Sequence, residues 1–110
     1  MGEYVLVESR DPFESGDAPY FFRLAGDLAA RGEKVTLFLV QNAVLAVRKG
    51  AKENSIAAAI DSGVEVMADS FSLRERGVLT VERRDGVRLA EIGDLVDRMM
   101  ASAETKVLWH

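Results

Sequence analysis

Cysteine is absent from the 110 residues, and histidine occurs once, at position 110. The first absence excludes disulfides, thiolate metal sites, cysteine nucleophiles and persulfide carriage on this polypeptide. The second leaves no material for a histidine-rich metal centre or, within one chain, a Ser-His-Asp triad. No metal and no cofactor are therefore expected. The nine glycines form neither a Gly-x-Gly-x-x-Gly nor a Gly-x-x-x-x-Gly-Lys-[Ser/Thr] phosphate cradle. A Gly-x-Ser-x-Gly elbow is missing too. No apolar run nears the ~20 residues of a membrane span, so no membrane partner is expected. Glu3 stands in Met1-Gly2-Glu3-Tyr4, where a secretory signal needs a basic stretch. The expected location is the cytoplasm. Fourteen Lys and Arg face eighteen Asp and Glu, a net charge of −4. That balance offers no general attraction to nucleic-acid phosphates.

What is present is a globular composition, 48% hydrophobic and 29% charged. The length suits a single domain over residues 1–110, able to close a core without staples. Short β-like runs alternate with helix-like segments. Tyr4 to Val7 is nearly continuous in apolar residues, the mark of a strand covered on both faces. From about Ala18 to Arg31, Phe21, Leu24, Ala25 and Leu28 draw a helical stripe, with Asp17 as N-cap and Gly32 as stop. Phe22 falls off that stripe, which suggests a subunit contact for one of the two phenylalanines. Val35 to Val40 reads as the second strand. A short helical piece follows over 43–48, and a longer helix over 53–62 turns Ile56, Ala57 and Ile60 inward.

Val64 to Ala68 reads as the third strand. Ser72-Leu73-Arg74-Glu75 has capping-box spacing, so a short helix starts there and stops at Gly77. Val78 to Val81 is ambiguous. The charged stretch 82–88 holds the turn signal Asp85-Gly86, and Arg83, Arg84 and Arg88 are expected to pair with the interleaved Glu82 and Asp85. A last helix over 90–103 gathers Ile92, Leu95, Val96, Met99 and Met100 on one face, and Lys106 to Trp109 closes as a strand. The alternation predicts an α/β fold, a three-layer α/β/α sandwich with a mainly parallel sheet of about five strands. The strand order stays open.

In such a sheet ligands bind outside the carboxyl ends of the strands. Three loops are selected. The first holds Ser9, Arg10, Asp11 and Pro12, the second Gln41 and Asn42, and the third Asp69, Ser70 and, one turn on, Arg74. Together they offer a pocket for a small polar or anionic ligand. The ordinary alternative is that each residue caps or solvates its own loop. Asp69 is the sharpest case. It serves either as a helix N-cap or, paired with Asp11, as one of two carboxyl groups for acid/base work.

The segment Gly63-Val64-Glu65-Val66-Met67-Ala68-Asp69-Ser70-Phe71-Ser72-Leu73-Arg74-Glu75-Arg76-Gly77 resembles the DsrE/DsrF-like (DsrEFH-like) family of small sulfur-relay proteins. Their pattern there is Gly-Val-Glu-Val, a cysteine shortly after, then Ser-Leu-[Lys/Arg]-Glu-Arg-Gly. The run Gly32 to Val44 and the end from Ile92 to Trp109 are similar to the family as well. The resemblance implies a DsrE-like fold over the whole chain and assembly into trimers or hexamers. It also places the family's sulfur-carrying cysteine on Asp69. A carboxylate is a poor nucleophile toward sulfur and holds no sulfane sulfur. The expectation is a non-catalytic binding or scaffold subunit, using Asp11, Gln41, Asn42, Asp69, Ser70 and Arg74, with a cysteine-bearing sulfur-relay protein as a further partner. The competing expectation is a small-metabolite enzyme with Asp69 as general acid or base.

Overall fold

Short runs rich in Val, Leu and Phe form strands that pair only in parallel. In the computed structural model, which describes residues 2–110, the strands are β1 (Glu3–Glu8), β2 (Lys34–Leu39), β3 (Glu65–Asp69), β4 (Val87–Ala90) and β5 (Thr105–Trp109). They make one sheet in the order β4-β3-β2-β1-β5, every neighbouring pair parallel. Helices α1 (Asp17–Ala30), α2 (Ser55–Asp61), α3 (Ser70–Glu75) and α4 (Ile92–Met99) connect them, with 3₁₀ segments at Gln41–Val47 and Thr80–Glu82.

Crossover handedness sets the layers. From β1 to β4 each connection steps the same way across the sheet, so right-handed crossovers put α1, α2 and α3 on one face. The link from β4 to β5 returns across the sheet in the opposite direction, and the same rule puts α4 on the other face. The cores agree. Leu6, Leu37, Leu39 and Val66 pack with Phe22, Ile56 and Leu73 on the first face. Val5, Val7, Phe38 and Met67 pack with Leu95 on the second. No helix of the described residues is long and apolar enough to cross a membrane.

One strand of the sheet, β4, lies where the sequence suggests only a charged loop. β4 has four residues with exposed Arg88 among them, a pattern typical of sheet edges and invisible to apolar periodicity. The ambiguous run 78–81 adds no strand; it leads into a 3₁₀ turn with Leu79 and Val81 exposed. In α1 the N-cap is Gly16 rather than Asp17, which sits in the first turn. The buried stripe is Ala18, Phe22, Ala25 and Gly26, so the helix is rotated from the expected face and Leu24 looks outward. Phe22 is thus a core residue of the monomer. The piece after β2 is 3₁₀ and begins earlier, at Gln41. In α2 Ala59 takes the inward place expected of Ala57, which is exposed. α4 is shorter than 90–103, and Leu95 is its only fully buried residue. The arginines near 84 pair elsewhere: Arg84 donates to the carbonyls of Ala51 and Glu53, and Arg88 bridges to Glu65. Gly32 (φ 91°) and Gly63 (φ 103°) do end α1 and α2, in a conformation that Cβ disfavours.

Candidate functional site

The carboxyl ends of β2 and β3 are joined by a chain of hydrogen bonds through one serine. Asp69 closes β3 and is the N-cap of α3. Its Oδ2 accepts from the Ser72 backbone N–H at 3.1 Å and from the Ser72 hydroxyl at 2.7 Å. The same hydroxyl oxygen accepts from the Gln41 N–H at 2.9 Å. Gln41 reaches it with φ at 52°, a left-handed conformation uncommon outside glycine. Because Ser72 is spent on Asp69, the expected Ser72–Glu75 capping box does not form. The helix starts at Ser70, two residues earlier than Ser72.

Asp69 is 4% exposed. Both of its hydrogen bonds go to Oδ2. Oδ1 accepts none, yet it is not sealed away from solvent among the described residues. Asp69 lines a cavity of ≈420 Å³, walled by Phe71, Ile92 and Trp109 and edged by Glu75 and Arg76. Arg76 is held in place: its Nε donates to Asn42 Oδ1 at 2.9 Å and its Nη1 to the Ser72 carbonyl at 3.3 Å. It lines the cavity where the sequence suggests Arg74, which is exposed on α3 and absent from the lining. The helical turn explains the exchange, since two residues along α3 amount to about half a turn. Ser70 is half-buried and does not line the cavity either.

Asp11 belongs to a second hollow of ≈370 Å³ with Ser9, Arg10 and Asn42. Its Oδ1 accepts from the Phe13 N–H at 3.0 Å, an Asx turn within its own loop. Gln41 lines both hollows and stands between them. Asp11 and Asp69 therefore share no cavity, and the geometry a paired acid and base would need is not formed.

A third feature escapes sequence reasoning. Glu8 is fully buried at the end of β1, and its carboxylate meets His110 Nδ1 at 2.7 and 2.9 Å. The backbone N–H groups of Ser9 and Arg10 donate to Glu8 Oε2 at 3.0 and 3.1 Å. His110 also stacks on Phe21, the ring centroids 5.4 Å apart. The partners lie 102 residues apart, so only the β1–β5 pairing unites them. No cluster of three or more His, Asp or Glu suited to a metal occurs among the described residues.

No family model matches the chain. No curated protein matches it either. Solved structures do. The ychN protein from E. coli superposes with a TM-score of 0.89 at 24% identity, covering 100% of both chains. MTH1491 from Methanobacterium thermoautotrophicum, a protein of unknown function, gives 0.83 at 16% identity with the same coverage. BT1422 from Bacteroides thetaiotaomicron, a conserved protein of unknown function, gives 0.78 at 16% identity over 99% of this chain and 95% of its own. At these identities the likeness establishes a shared α/β fold along the whole chain.

Proposed function

We propose that this chain is a cysteine-less DsrE-like protein, an oligomeric binding or scaffold subunit without persulfide chemistry. The observation that carries the reading is Asp69. It stands at the carboxyl end of β3 in a cavity, and the sequence resemblance implies that this is the position of the sulfur-relay cysteine. Its Oδ2 is committed to Ser72, a structural task that leaves the frame intact and the sulfur chemistry gone. Val96 and Met100, about one helical turn apart along α4, stand exposed and line no part of that cavity. Such an exposed apolar surface favours assembly over life as a monomer. The assembly proposed is a trimer or hexamer in the cytoplasm, alone or mixed with a cysteine-bearing sulfur-relay subunit.

Native mass spectrometry of the purified chain and of its source-cell extract tests this. Trimers, hexamers or mixed assemblies are expected. A monomer in both samples at micromolar concentration overturns the scaffold reading. Covalent capture of labelled sulfane sulfur on the chain overturns the non-catalytic part.

A further inference from the structure

We propose that the Asp69 cavity binds a small organic cation, a primary ammonium carried on a flat apolar body. The inference rests on reading this cavity as a binding site and names what it takes. Four observations converge. Asp69 is nine-tenths and more buried, and its Oδ1, open toward solvent, has no hydrogen-bond donor among the described residues. Glu75, at the edge, makes no ion pair among the described residues. The one cation that lines the cavity among the described residues, Arg76, already directs two donors to Asn42 and to the Ser72 carbonyl. The walls are Phe71, Ile92 and Trp109, each more than half exposed.

Each observation selects against other ligands. A carboxylate or phosphate would meet two acids and an arginine whose fork is partly taken. A neutral apolar ligand would cover the walls and displace the solvent that reaches Oδ1, leaving that oxygen without a donor, which costs free energy. An ammonium supplies that donor in charge-assisted form. Its positive charge is also favoured near the faces of Trp109 and Phe71. The ≈420 Å³ of space falls within the usual ~300–1,000 Å³ of small-molecule sites. Gln41, fixed to Ser72 by its backbone, closes the side toward the Asp11 hollow.

Trp109 is the only tryptophan and lines the cavity, so its emission reports occupancy. The purified chain is titrated with 2-phenylethylammonium, with neutral 2-phenylethanol and with phenylacetate. Saturable change of Trp109 emission is expected with the ammonium alone. Asp69→Asn can keep the cap, because the amide oxygen can still accept from Ser72, while the charge is removed; circular dichroism checks that the fold survives. That variant is expected to bind the ammonium about ten- to hundredfold more weakly.

Equal binding of the alcohol or the carboxylate overturns the proposal. So does unchanged affinity in a folded Asp69→Asn protein, or no response to the ammonium at millimolar concentration. An emission change that follows protein concentration instead of probe assigns the cavity to a side chain from another copy, and also overturns it. The three probe-binding outcomes leave the native mass spectrum unchanged, so the scaffold reading stands or falls separately; only the concentration-dependent outcome appears in both measurements, and it supports assembly while it overturns the ligand site.

Discussion

The two faces of the sheet are finished to different degrees. Three helices and a 3₁₀ segment cover the first, and Phe22, Leu37, Ile56 and Val44 are fully enclosed there. A single eight-residue helix covers the second. On that side α4 buries Leu95, while Ile92, Val96 and Met100 face solvent, and Trp109 at the end of β5 stays uncovered. Apolar area removed from water stabilises by about 25 cal/mol per Å². The first face therefore holds the monomer together, and the second keeps apolar surface available for something else. The candidate cavity lies where these regions meet, floored by a buried acid and walled by the uncovered residues.

The contrast makes its largest prediction at Phe22. Phe22→Ala is expected to cost about 3–5 kcal/mol in urea unfolding, the usual cost of an aromatic core truncation. Val96→Ala on the open face is expected to change the monomer by no more than about 0.5 kcal/mol. Comparable losses would erase the distinction between the faces.

The β1–β5 seam comes next. His110→Ala removes the only side-chain partner, among the described residues, of a fully buried carboxylate, although two backbone N–H groups remain. A loss of about 1.5–3 kcal/mol is expected. Faster hydrogen exchange in β5 than in β2 would locate the loosening at the seam.

At the cavity floor, Asp69→Ala is expected to cost about 1–2 kcal/mol, since it removes the α3 cap and a buried acceptor. Asp69→Asn should recover most of that. Thermal melts of the two variants separate capping from charge, and equal melts would show that the cap contributes little.

The smallest effect concerns acid. Glu65 is held below its ordinary value of 4.5, chiefly by the hydrogen bond from Arg98, with Arg88 adding to it and burial opposing. The folded carboxyl thus binds its proton less tightly than the unfolded one. Its contribution is complete above about pH 4.5 and is lost as pH falls through the lower folded value. Glu65→Gln is expected to flatten the acid limb of stability slightly, because the bridge is partly exposed and screened. An unchanged slope of stability against pH between 3 and about 5 would assign acid sensitivity to other carboxyls.

Much of this molecule is legible along the chain because its pattern is local. Four strands announce themselves as apolar runs, and Gly32 and Gly63 mark helix ends through backbone conformation alone. The absence of cysteine settles, before any folding, that no thiolate chemistry occurs on this polypeptide. Asp69 as a helix cap is also a local reading, three residues from the N–H it binds. Other features need long-range contact. β4 is a strand only because β3 offers it an edge, and its four residues carry too little periodicity to declare it. The face of α1 is decided by which residues the sheet and α2 accept, which turned Phe22 inward and Leu24 out. Arg76 replaces Arg74 at the cavity because Asn42, 34 residues earlier, anchors it. Glu8 and His110 meet across 102 residues because parallel pairing aligns the ends of β1 and β5. Sequence determines propensity, pattern and the chemistry on hand, which act within a few residues. Which groups share a site depends on chain crossings that bring distant segments together, and tertiary packing alone decides that.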